Sequence, residues 1–212
     1  TDVFDGAADD DTFSGGDGND TRDGGTGHDL VNGDVGDDII DGGVGDDSLD
    51  ASGSTTAATI LGNGGDDKIA GGSANDYLNG GADNDSIDGG AGDDRLIGGA
   101  GADEMRGGEG NDLLYADADD TVVDGGAGYD RVIVQGEEGI KLDMTKSSIE
   151  RVDGGVGNDS LDASGSTEAV TILGNGGDDK IDGDHIDNAF GHAREFFQQA
   201  TVRSSGAEFH HL

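Results

Sequence analysis

Apolar residues fall on a nine-residue clock along most of this chain. They stand at Phe13, Val31, Ile40 and Leu49, then at Ile69, Leu78, Ile87, Leu96, Met105, Leu114, Val123 and Val132. The series resumes at Val152 and Leu161 and ends at Ile181 and Phe190. Arg22 occupies one beat where an apolar residue belongs. Three gaps of 20 residues interrupt the series, and Ile60, Leu142 and Ile172 divide them, so the count runs unbroken through about twenty units. One apolar residue in nine is too sparse for a helix, whose apolar stripe recurs every three to four residues. It suits a very short strand whose middle side chain points inward.

The residues between these beats have their own pattern. Positions 89–115 read GGAGDDRLI, GGAGADEMR, GGEGNDLLY: a glycine pair, a third Gly in fourth place, Asp in sixth and an apolar residue in eighth. GGxGxD then forms a turn before each strand. Two units make one coil with a strand on each of two faces, and each turn lies over the turn two units on. At a strand spacing of about 4.8 Å, ten coils make a rod of roughly 48 Å. The expected fold is an all-β parallel solenoid of about ten coils, each of two nonapeptides, over residues 1–188. Residues 189–212 leave the glycine clock and form a short C-terminal segment, either a cap or a vector-derived tail.

Composition makes this fold conditional. Gly supplies 44 of 212 residues, aromatics are 4%, Pro and Cys are zero, and the formal net charge is −37. Such a chain has too little apolar surface to offset its conformational entropy and too much self-repulsion to collapse unaided. Its carboxylates need neutralising. The charge also excludes nucleic acid, which demands basic patches, and anionic membrane surfaces. No apolar run approaches the ~18–20 residues of a transmembrane helix, so no membrane insertion is expected. Opening on Thr1 rather than Met, the chain reads as a fragment or a processed piece.

The turn supplies the missing charge chemistry. Glycine allows positive φ and close backbone approach, so the turn can aim its carbonyls at one point, and the Asp adds a carboxylate there. A ligand set of oxygens alone suits a hard cation, and flexible coordination favours Ca²⁺ over Mg²⁺. One turn offers too few ligands, so each ion is expected between turn n and turn n+2.

These residues resemble the RTX (repeats-in-toxin, haemolysin-type) family, whose nonapeptide is GGxGxDxUx. Strict matches stand at 24–32, 42–50, 89–97, 98–106, 107–115, 125–133 and 154–162. The resemblance implies a right-handed parallel β-roll, folding driven by extracellular Ca²⁺, and secretion by a type I system of a Gram-negative bacterium. Departures from the pattern include Arg22 in place of the apolar residue, Ala74 and Asp83 in place of the fourth Gly, and Thr121 in place of an Asp.

Pairing turns two units apart names the candidate metal ligands. One edge carries Asp11, Asp29, Asp47, Asp67, Asp85 and Asp103; the other carries Asp20, Asp38, Asp76, Asp94, Asp112 and Asp130; Asp159 and Asp179 pair near the end. Turn carbonyls are expected from Gly25, Gly27, Gly43, Gly45, Gly90, Gly92, Gly99, Gly101, Gly108, Gly110, Gly155 and Gly157. Adjacent pairs predict about ten ions. The enlarged loops 51–58 and 163–170 lack the pattern and are expected to be ion-free. So is most of 134–150, where Lys141 and Lys146 supply positive charge instead.

Other chemistry is sparse. His28 beside Asp29 reads as a solvent-facing turn residue, His185 suggests at most a weak metal contact, and His210–His211 reads as a tag remnant or disordered end rather than as a weak transition-metal site. No zinc-protease, nucleophile-elbow or dinucleotide motif appears, so no catalysis is expected. Phe4 and Phe13 are expected to cover the first coil, and Phe190, Phe196 and Phe197 the last, as a helix or irregular cap. The block 41–69 matches 153–181 at 26 of 29 positions, which marks a duplication. Function then falls to a secreted, calcium-folded module with calcium ions, neighbouring domains and an exporter as partners. The alternatives are a rigid spacer of an adhesin or surface layer and an accessory module of a secreted enzyme.

Overall fold

The computed structural model describes residues 2–166, 169–183, 186–187 and 201–203, the last two as backbone strands. Among these residues there are 22 strands and no helix. Eleven alternate strands form one sheet. The strands between them form the opposite face, divided into a seven-stranded and a four-stranded sheet. The pairings are parallel and join units two apart: Phe13 to Val31, Leu96 to Leu78 and Leu114, Ile87 to Ile69 and Met105. The chain is therefore a parallel β-solenoid of about ten turns.

The apolar clock builds the core. Val31, Ile40, Ile60, Leu78, Ile87, Leu96, Met105 and Leu114 are all fully enclosed. Their neighbours along each strand point outward, as period-2 alternation demands. One enclosed side chain per unit contributes only about 1.5–3 kcal/mol. Ordering the backbone opposes folding by roughly 1–2 kcal/mol per residue, so this thin core leaves much of the fold to other interactions.

Enlarged units keep the lane in register. Ile40 pairs with Ile60, and Leu49 with Ile69, across 20 residues rather than 18. The loop 51–58 absorbs the extra pair by burying Ala51, Ser54 and Ala58. Its Ser54 hydroxyl donates to the Gly36 and Thr56 carbonyls at 3.1 and 2.9 Å. Between Val122–Ala127 and Lys141–Asp143 the second face is broken, and a cavity of about 290 Å³ opens there, lined in part by Val123, Leu142 and Lys146. Leu142 still enters the lane, in register with Leu161.

Phe13 is buried at the N-terminal end, and the half-exposed Phe4 ring lies 4.5 Å from it, centroid to centroid. Phe190, Phe196 and Phe197 lie outside the described residues. Thr201–Arg203 is a strand, paired in parallel with Lys180–Asp182, rather than part of a helix.

Candidate metal centre

Each GGxGxD turn is shaped by glycines with two different tasks. The second and fourth face the preceding coil. Gly45, at φ 137°, lies so close to the turn below that a Cβ would stand 1.6 Å from the Gly27 carbonyl oxygen. The same contact recurs from Gly25 to Gly43, Gly90 to Gly108, Gly81 to Gly99, and Gly92 to Gly110. Gly101 meets the Asp83 carbonyl, Gly155 the Val134 carbonyl, and Gly157 the backbone of 138–139. Carbonyl oxygens of one turn therefore point up the stack at the next.

The first glycine faces inward, and it makes room for the sixth-place Asp. A Cβ on Gly24 would stand 2.4 Å from Oδ2 of Asp29 and 2.5 Å from the carbonyl oxygen of Gly42. The same two oxygens converge over Gly62 (Asp67 and Gly80), Gly89 (Asp94 and Gly107) and Gly107 (Asp112 and Gly125). Each cradle joins a carboxylate oxygen of one coil to a carbonyl oxygen of the next.

The predicted aspartates are all buried except Asp11, which is half-buried. They form ladders. The main-chain N–H of each donates to Oδ1 of the Asp one coil on: Asp11 to Asp29, Asp29 to Asp47, Asp47 to Asp67, Asp67 to Asp85 and Asp85 to Asp103, all at 2.8–2.9 Å. On the other edge Asp20 donates to Asp38, and Asp76, Asp94 and Asp112 donate in turn to Asp94, Asp112 and Asp130. Asp159 donates to Asp179 at 3.1 Å. The second oxygen is treated differently. Oδ2 of Asp29, Asp38, Asp47, Asp67, Asp85, Asp94, Asp112, Asp130 and Asp159 is buried with no hydrogen-bond donor. Oδ2 of Asp76 accepts from the Gly72 N–H, and that of Asp20 faces Arg22.

A buried carboxylate oxygen without a donor is costly. Burial is the largest influence on these carboxyls, and it raises their pKa: to about 6 at Asp67, Asp130 and Asp159, and to about 7 at Asp85 and Asp94. The accepted N–H bond opposes the rise, and neighbouring carboxylates add to it. Asp20 runs the other way, lowered first by the Asp2 N–H it accepts and further by Arg22. A row of buried carboxylate oxygens without donors, several of them beside a carbonyl of the next coil and over a glycine whose Cβ would crowd them, fits a hard cation. No three His, Asp or Glu side chains converge among the described residues, so a cation in a cradle would meet main-chain carbonyls beside the carboxylate.

Several participants escaped the nonapeptide pattern. Asp120, not Thr121, ends one ladder: its Oδ1 accepts the Asp103 N–H at 3.2 Å, and burial raises its carboxyl to about 7. Glu150 ends the other by accepting the Asp130 N–H at 2.8 Å. A second, exposed ladder runs through fifth-place residues. There Asp46 and Asp66 accept, through their side chains, the N–H groups of Asp66 and Asn84. His28 belongs to it, its Nδ1 accepting the Asp46 N–H at 3.1 Å while the ring stays exposed. His185, His210 and His211 lie outside the described residues. Lys146 pairs with Asp143, holding that carboxyl down at about 2, and Lys141 is exposed. The loop 51–58 puts Ala58 where a ladder Asp would be, and its N–H donates to Asp76.

Comparison with known proteins agrees with this geometry. No curated protein matches the chain. The profile of the RTX calcium-binding nonapeptide repeat matches residues 1–21, 23–56, 52–87, 61–96, 71–105, 97–132 and 162–184, most of the chain. The protein belongs to the RTX calcium-binding nonapeptide-repeat family, and its stacked turns form a calcium-binding repeat module.

Proposed function

We propose that this chain is a non-catalytic, calcium-folded segment of a larger secreted protein, exported by a type I system of a Gram-negative bacterium. The observation that carries the reading is the row of buried Asp Oδ2 atoms that face no donor. Calcium held there supplies the positive charge that these carboxylates lack. The ligands are the sixth-place aspartates of both edges together with the turn carbonyls, from Gly25 and Gly27 through Gly155 and Gly157, for about ten ions in all. At ten times its Kd each site adds roughly 1.4 kcal/mol. Ten sites then add about 14 kcal/mol, the scale of a whole domain's stability.

The export logic follows from charge. At low cytosolic calcium the net charge of −37 keeps the chain extended. Outside the cell, weak extracellular-type sites fill at about 10⁻⁴–10⁻³ M, and the coil winds up. The test is the hydrodynamic radius of the full chain in chelator and in millimolar calcium. Contraction to a compact rod supports the reading, and an unchanged radius contradicts it.

A second reading, a rigid spacer of an adhesin or surface layer, is favoured by the duplicated block. Its first copy forms the strands Ser48–Asp50, Thr59–Gly64 and Lys68–Ala70, and its second forms Ser160–Ala163, Val170–Leu173 and Lys180–Gly183. Such a block lengthens the rod without disturbing register. Retention on a cell surface separates the two readings.

A further inference from the structure

We infer that the guanidinium of Arg22 takes the place of a calcium ion at Asp20, so that this carboxylate is neutralised from within the chain and no calcium is held between Asp20 and Asp38. The inference rests on reading the other aspartate cradles as calcium sites.

Arg22 stands in the apolar lane, in register with Phe4 on one side and Ile40 on the other. It is 2% exposed, as is Asp20. Its Nη2 lies 3.2 Å from Oδ2 of Asp20. That atom corresponds to Oδ2 of Asp94 and Asp112, which face no cationic side chain, and in Asp20 it is held in an ion pair with the guanidinium. The cradle itself is filled. Gly15 is the first glycine of the Asp20 unit, and a Cβ there would meet the Gly33 carbonyl oxygen at 2.1 Å and Nη2 of Arg22 at 3.0 Å. At the corresponding point over Gly89 and Gly107 the two nearest atoms are both oxygens, one from a carboxylate and one from a carbonyl. The guanidinium has therefore entered the space that the other units leave to a cation.

Charge and geometry both keep calcium out. Arg is charged at every accessible pH and cannot diffuse away. A divalent ion brought beside it meets like charge at contact distance. The next cradle on this edge is incomplete as well. Over Gly33 the nearest atoms are those of the Asp38 side chain and Cδ1 of Ile40, and the turn that would follow on this edge is replaced by the loop 51–58, where Ala58 stands in place of a ladder Asp. The edge from Asp20 to Ala58 therefore takes no ion, one fewer than pairing of aspartates predicts.

The test counts bound calcium by native mass spectrometry on the full chain at saturating calcium. Asp20→Asn is expected to keep the wild-type count. Arg22→Leu, which restores the nonapeptide pattern, is expected to gain one ion. Asp94→Asn, the control, is expected to lose at least one. Loss of an ion in Asp20→Asn, or a folded Arg22→Leu with the wild-type count, overturns the inference and leaves the calcium reading standing. An unchanged count in Asp94→Asn overturns the calcium reading itself, and this inference with it. Should Arg22→Leu fail to fold, Asp20→Asn alone decides.

Discussion

The main-chain N–H of Asp94 donates to Oδ1 of Asp112 at 2.8 Å, while Oδ2 of the same Asp112 is buried with no donor. One carboxylate thus has two oxygens with opposite roles. Oδ1 holds successive coils in register. Oδ2 carries negative charge into the cradle over Gly107, where the Gly125 carbonyl also points. Register and cation demand reside in one side chain.

Asp112→Asn separates these roles. The amide keeps an oxygen to accept the Asp94 N–H but lacks the charge. The calcium concentration at the folding midpoint is expected to rise several-fold, read by far-UV circular dichroism. Asp119→Asn, at an exposed turn position, is expected to leave the midpoint in place. Equal effects of the two substitutions contradict the cradle.

Acidity substitutes in part for calcium. Asp67, Asp85, Asp94, Asp130 and Asp159 have folded carboxyl pKa values of about 6 to 7, above the ordinary carboxylate value. The folded state therefore binds protons that the unfolded chain releases. By linkage, the calcium-free roll gains stability as pH falls, fully below about 4, and loses it as pH rises through about 6 to 7. In calcium-depleted buffer, β content is expected to be higher at pH 5 than at pH 8. Calcium affinity moves the opposite way, because ligands must be deprotonated. A calcium-free chain that is more structured at pH 8 contradicts this sign.

Two glycine substitutions distinguish the cradle from ordinary turn chemistry. In Gly107→Ala the new methyl would stand 2.2 Å from Oδ2 of Asp112 and 2.5 Å from the Gly125 carbonyl oxygen. In Gly64→Ala nothing lies within 4 Å. The first is expected to destabilise the calcium-loaded roll by about 1–3 kcal/mol, the second by no more than about 0.5 kcal/mol, in urea unfolding at saturating calcium.

The apolar lane is tested in the same assay. Leu96→Ala, in a fully enclosed position, is expected to cost about 2–5 kcal/mol. Ile39→Ala, one residue outside the lane and 48% exposed, is expected to change stability by about 0.5 kcal/mol or less. A similar loss at both positions contradicts a single-file core.

Much of this architecture was legible in the nine-residue period. Because side chains alternate along a strand, one apolar residue per unit specifies which face turns inward, and Ile60, Leu142 and Ile172 kept the count through the enlarged units. The sixth-place Asp was legible as a ligand type. The direction of its carboxylate was not, because that depends on the first glycine, whose missing Cβ opens the interior only once coils stack. Asp120 and Glu150 were missed because no GGxG turn precedes either of them, so neither stands at the sixth place of a nonapeptide. The fifth-place ladder escaped because Asp, Asn and His fill it interchangeably, each with an acceptor atom. Arg22 read only as a departure; its partner lies two residues away on the same buried face.

The most direct test of the account is a calcium titration of the full chain by far-UV circular dichroism, with magnesium as the control and bound ions counted in parallel. The account predicts a cooperative transition from coil to β structure in calcium, with about nine or ten ions bound, and none in equal magnesium. A chain already folded in chelator at neutral pH, or one that responds equally to magnesium, would contradict it.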